Sequence, residues 1–98
     1  MRRAAKTDAN HSEVVKALRQ IGCSVASLAS VGCGIPDLVV GYRGVNWLLE
    51  VKDGSKPPSA RKLTDDEAAF MAAWRGQYAV VETVEQAIAV VTAREALA

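Results

Sequence analysis

Aromatic residues are scarce in this chain, five in 98, and there is one histidine and only two cysteines. Cys23 and Cys33 lack Cys-x-x-Cys spacing and have no histidine nearby. That pattern excludes a zinc framework, and we expect both thiols to be reduced in a cytoplasmic protein. No apolar run reaches the roughly 18 residues of a membrane span, so no membrane insertion is expected. The basic opening Met1-Arg2-Arg3-Ala4-Ala5-Lys6 is not followed by the apolar core of a signal peptide. Gly32-x-Gly34 has neither the third glycine nor the following helix of a dinucleotide fingerprint, so no organic cofactor is expected.

Charge of one sign is also lacking: the formal net charge is +1, which argues against a generic polycation. Its distribution is uneven. Residues 1–62 carry ten Lys/Arg against five Asp/Glu, whereas residues 63–98 carry two against six. A basic half of this kind suits a polyanionic partner, with ordinary solvated charge as the alternative.

What is present centres on Gly34-Ile35-Pro36-Asp37-Leu38-Val39-Val40-Gly41 and Asn46-Trp47-Leu48-Leu49-Glu50-Val51-Lys52. Both are short apolar runs rich in Val and Leu and bounded by Gly, Pro or Asp, the pattern of strands. Arg43-Gly44 between them predicts a hairpin, with glycine supplying a positive φ. A two-residue turn there sets Asp37 opposite Glu50. Like charges at such a position destabilise a sheet, so either one acid is protonated with a raised pKa or a hard divalent cation sits between them. Lys52, two residues beyond Glu50, falls on the same face by strand parity. Trp47 faces away from Glu50, toward core packing.

Read in order, the chain is one domain with a tail over residues 1–7. Asp8 or Asn10 caps a first helix running to about Ile21, with Val14, Ala17, Leu18 and Ile21 as its apolar stripe and Gly22 as its stop. Glu13 fits a capping box with Asn10, or points from the helix start toward the acidic patch. Cys23 to Ser30 reads as a weak strand, and Val31 to Gly34 as a loop. Asp53 to Lys62 is polar and interrupted by prolines, hence a loop. Because it leaves the strand carrying Glu50 and Lys52, its Ser55, Lys56, Arg61 and Lys62 are candidate phosphate contacts, with a solubilising surface as the alternative; Arg43 joins them as a candidate DNA contact. Thr64-x-x-Glu67 is a capping box opening a helix whose expected buried face is Ala68, Met71 and Ala72, with Phe70 and Trp74. A strand over Tyr78 to Glu82 and a helix from Glu85 to about Ala96, with Ala87, Ile88, Val91 and Leu97 near one stripe, complete an αβββαβα order.

An opening helix with a glutamate, then Gly34-x-Pro36-Asp37-Leu38, then Glu50-Val51-Lys52 a strand later, followed by a helix and a further strand, resembles the PD-(D/E)xK nuclease superfamily. Within it the chain is most similar to the VRR-NUC group and its small stand-alone Holliday junction resolvases. The likeness spans roughly Asp8 to Val91. It implies a restriction-endonuclease-like α/β core of order αβββαβ(α), a mixed central sheet flanked by helices. It also implies Mg²⁺ or Mn²⁺ held by Asp37, Glu50 and the carbonyl of Val51, with catalytic support from Lys52 and from Glu13 on the first helix. Some members carry a glutamine early in the helix after the lysine motif, where this chain has Glu67. The implied substrate is DNA, branched by analogy. Two symmetric cuts by a chain with one site imply a two-fold homodimer.

Overall fold

The computed structural model describes residues 8–93. The tail expected at 1–7 and the end of the last helix, with Leu97, lie outside them. The elements are α1 (His11–Gln20), β1 (Ser24–Ser27), β2 (Leu38–Tyr42), β3 (Val45–Val51), α2 (Asp65–Ala73), β4 (Tyr78–Val81) and α3 (Val84–Val91), with a 3-10 turn at Pro58–Ala60 inside the expected loop. This is the αβββαβα order, and its sheet is mixed. The strands lie in the order β1-β2-β3-β4, antiparallel except for the parallel β3–β4 pair.

The hairpin register follows from a tight turn. Tyr42 pairs with Val45 and Leu38 with Leu49, so the next position outward sets Asp37 opposite Glu50. Arg43 (φ 52°) and Gly44 (φ 83°) both adopt left-handed conformations. A two-residue turn of that kind matches the right-handed twist of the flanking strands.

One face of the sheet is the core. Leu38, Val40, Leu49, Val51 and Val81 are buried there beneath Val14 and Leu18 of α1 and Ala87 and Val91 of α3. Trp47 lies half-buried on this face, as parity requires. The opposite face carries Val39, Leu48, Glu50 and Tyr78, and there the cover is thin. No residue of α2 is buried, and Met71 and Trp74 are exposed. The buried stripe expected for this helix is therefore absent: Ala68 and Ala72 face solvent too, and Phe70 is half-buried. The physical reason is that Asp65–Ala73 distributes its alanines around the whole helix, so no direction is more apolar than another. The helix is held instead by its capped start, by the Glu67–Lys52 ion pair and by two aromatic contacts of Phe70. Thr64 and Glu67 form the expected capping box, and Phe70 stacks on Trp74 (5.3 Å) and leans on Tyr78 (6.2 Å). Among the described residues no helix is long and apolar enough to cross a membrane.

Candidate active site

A cleft of about 360 Å³ opens where β2 begins and β3 ends, lined by Gly34, Asp37, Glu50, Val51, Lys52 and Glu67 among others. Each catalytic candidate arrives there for a local reason. Pro36 ends the loop and Asp37 stands one residue before the ladder, free of it at the side chain. Its Oδ2 accepts a hydrogen bond from the Val51 amide at 2.8 Å, which ties the two strands together at the site. Glu50 is 3% exposed, and its carboxyl lies near enough to that of Asp37 for the two to interact strongly. Lys52 continues β3 beyond its last ladder position; its Nζ lies 3.8 Å from Glu50 Oε2 and 2.9 Å from Glu67 Oε1.

The electrostatics answer the question raised by the register. Burial first, then the negative charge of Asp37, push the Glu50 carboxyl up to about 9. With only the protein's own groups in play, the pair accommodates itself by keeping a proton on Glu50. Burial pulls the Lys52 ammonium down, but its hydrogen bond to Glu67 and the charges of Glu67, Glu50 and Asp8 outweigh that and leave it above the ordinary lysine value. Burial likewise works against ionised Glu67, while Lys52 and the Thr64 amide hold its carboxyl below the usual range. Lys52–Glu67 is therefore a committed ion pair, and Glu50 is the group left with unmet demand. Its Oε1 is buried with no partner.

That orphaned oxygen is the test of whether a cation fits. Among the described residues no three His, Cys, Asp or Glu side chains form a metal-binding group, so an ion here rests on two carboxylates and the main chain. Asp37 and Glu50 facing each other across the strands in one cleft, with one buried carboxylate oxygen unsatisfied, match the all-oxygen preference of a hard divalent ion. Val51, the residue between Glu50 and Lys52, lines the same cleft.

The other expected site residues are dispersed. Glu13 is exposed on α1 and lines a separate cavity with Asp53, Glu82 and Glu85. The acid that reaches the cleft from this part of the chain is Asp8. Nor does Glu13 complete a capping box: Asn10 makes no side-chain cap. The Asn10 side-chain amide instead donates to the carbonyls of Lys52 (3.0 Å) and Glu82 (2.9 Å), anchoring the start of α1 to the residues that follow β3 and β4. Of the loop candidates, none lines the cleft. Ser55 spends its hydroxyl on Asp53 at 2.7 Å, and Arg61 pairs with Glu82 at 2.9 Å. Lys56 pairs with Asp8 at 3.6 Å, which keeps it beside the cleft, and Lys62 is exposed. Arg43 lies at the hairpin tip, over the Tyr42 ring at 5.1 Å, roughly 20 Å from Asp37 at strand rise.

One cleft residue, Asp66, carried little sequence signal. Gly34 stands in the Gly-x-Pro-Asp run, and its use here is steric: at φ +82° a Cβ there would stand 2.5 Å from the Asp66 carbonyl oxygen, so the glycine lets α2 seat against the loop before β2. Gly34→Ala is expected to displace α2, the weakly held element, rather than open the core. Any activity housed in the cleft should fall by about tenfold or more, with a melting temperature only a few degrees lower, and faster amide exchange should be confined to residues 64–74. Unchanged activity would show that the seating of α2 does not matter to the site.

No family model and no curated protein matches the chain. A solved structure described as a VRR_NUC domain is similar to it, with a TM-score of 0.56 and 28% identity, covering 88% of this chain and 96% of that one.

Proposed function

The chain belongs to the VRR-NUC family of nuclease domains, and from that premise we propose that it is a metal-dependent DNA endonuclease acting on branched DNA in the manner of a Holliday junction resolvase. The observation that carries this reading is the facing Asp37–Glu50 pair with its unsatisfied buried oxygen, 3.8 Å from a lysine ammonium at its other oxygen. Asp37, Glu50 and the Val51 carbonyl would hold Mg²⁺ or Mn²⁺. When bound, such an ion supplies Lewis-acid polarisation of the scissile phosphate and makes water acidic enough to attack it.

The chain's own residues do the rest. Lys52 keeps its proton, because Glu67 and Glu50 favour the charged form. It therefore serves as a fixed cation and hydrogen-bond donor toward the phosphoryl oxygens, where negative charge grows in the transition state, rather than as the base. Glu67 is a positioning residue: its Oε1 accepts from Lys52 and from the Thr64 amide, each at 2.9 Å, so the helix cap fixes where the ammonium stands. Lys56, beside the cleft, would meet the phosphate backbone. Symmetric resolution of a junction calls for two copies of the site, hence a two-fold homodimer. Free Cys23 and Cys33 suit a reducing compartment such as the cytoplasm.

Labelled junction, flap and linear duplex incubated with Mg²⁺, Mn²⁺ or EDTA test the proposal. The expected result is metal-dependent cutting of the junction, lost in Asp37→Ala and Lys52→Ala. Equal cutting of linear duplex would reassign the protein as a structure-independent or nicking endonuclease. Tight binding with no cleavage under either metal would make it a silent DNA-binding module.

A further inference from the structure

We propose that a second DNA-backbone contact lies in the groove between α1 and β1, and that it carries a strand leading into the cleft. A cavity of about 680 Å³ is lined there by His11, Ser12, Lys16, Arg19, Gln20 and Ser27, together with Val15. Two cations, two hydroxyls and an imidazole face it, and no carboxylate does. This matches a chain of singly charged phosphodiesters, which reward cations and neutral donors and penalise acids.

Two further features support the assignment. Arg19 is already braced: one guanidinium nitrogen donates to the Val25 carbonyl at 3.0 Å, which fixes the fork beside the groove. Among the described residues β1 pairs only with β2, which leaves its outer edge without a strand.

The groove and the cleft share no lining residue, but both groove walls are tied by hydrogen bonds to the segments that carry the site. At one end Asn10, next to His11, is bonded to the Lys52 carbonyl. Ser27 adjoins Leu28, whose amide donates to the Asp37 carbonyl at 2.7 Å. On both walls, then, the groove ends one residue from a group bonded to the catalytic strands. A backbone gripped along α1 is thereby led toward Asp37 and Lys52.

The inference rests on the nuclease reading, and the test separates the two. Anisotropy of labelled four-way junction is measured in Ca²⁺ and in EDTA across a salt series, for wild type, Lys16→Gln/Arg19→Gln, Lys16→Gln alone and Arg75→Gln. Lys16 and Arg75 make no described ion pair, and both lie on the exposed surface. The double variant is expected to bind at least tenfold more weakly at about 0.1 M salt, and its slope of log affinity against log salt should be shallower by about 1.8, or about 0.9 per lost phosphate contact. Lys16→Gln alone, which leaves the Arg19 brace intact, should lose about 0.9 of slope, and Arg75→Gln should change neither quantity. If wild type binds and cuts but Lys16→Gln and the double variant keep its affinity and slope, the groove is overturned and the nuclease stands. If wild type neither binds nor cuts DNA with any metal, the nuclease reading falls and the groove falls with it.

Discussion

In EDTA, raising the pH from about 4.5 to about 9 is expected to lower the melting temperature steadily, and millimolar Mg²⁺ or Mn²⁺ is expected to restore most of the loss. The sign follows from Glu50. Its folded-state pKa stands near 9 against an ordinary 4.5, so the folded protein holds this proton more tightly than the unfolded chain. The resulting stability is fully present below about pH 4.5 and is lost as pH rises toward 9. Other shifted groups do not obscure the window. Glu67 and Asp53 are shifted down and titrate below it, while Cys23, Lys52 and Tyr78 are shifted up and titrate above it. Each pKa unit is worth about 1.4 kcal/mol. Relaxation around an ionised Glu50 would recover part of the nominal total, leaving a loss on the order of 3 kcal/mol, or roughly 10–20 °C at this chain length. A divalent ion replaces the proton, so its stabilising effect should be largest at high pH. Glu50→Gln should flatten the profile, be more stable than wild type in EDTA at pH 8, and gain nothing from metal. A flat wild-type profile, or equal metal stabilisation of Glu50→Gln, would remove the cation from this pair.

The same acids explain how much of the site was legible in the sequence. A two-residue turn leaves no freedom in register, so Arg43-Gly44 alone brings Asp37 opposite Glu50, and parity alone puts Lys52 on their face. Of the two outcomes that the register leaves open, a proton or a cation, the protein's own groups favour the proton. What sequence could not give was the use of groups whose local and distant options are equally good. Asn10 has the residue type of a helix cap, but its amide joins α1 to Lys52 and Glu82 instead. With the helix start anchored in that way, Asp8 meets the cleft and Glu13 does not. Basic loop residues invite a reading as phosphate contacts, yet Arg61 finds Glu82 and Lys56 finds Asp8, and such pairing depends on which distant acid the fold delivers. The α2 helix departs from its expected buried stripe for a different reason. All the residues after its acidic first turn are apolar, and composition without a stripe says nothing about which way a helix faces.

Lys52→Ala is expected to lower cleavage about 10³-fold, the usual scale for losing one aligned charge or proton-handling group, while divalent cations bind as tightly as in wild type or more tightly. The two effects part because Lys52 and a cation compete for the same carboxylate. The ammonium stands 3.8 Å from Glu50 Oε2, so an ion on the same carboxylate would sit within several ångström of it, and a single and a double positive charge roughly 4–6 Å apart oppose each other by about 1–8 kcal/mol over the dielectric range of a partly wet site. Removing it leaves Asp37, Glu50 and Glu67 facing the cleft without the ammonium that touches two of them, so in EDTA the variant should also melt lower at neutral pH, and metal should raise its melting temperature more than it raises that of wild type. Glu67→Gln separates position from charge. A glutamine can still accept from the Thr64 amide and from Lys52, so the ammonium should stay in place and cleavage should fall by only about tenfold. If Lys52→Ala instead loses metal stabilisation together with activity, the lysine is a structural support for the acids, and the charge opposing the transition state must be sought on another residue. If Glu67→Gln is as inactive as Lys52→Ala, Glu67 acts on the phosphate or the water directly and not through the lysine it holds.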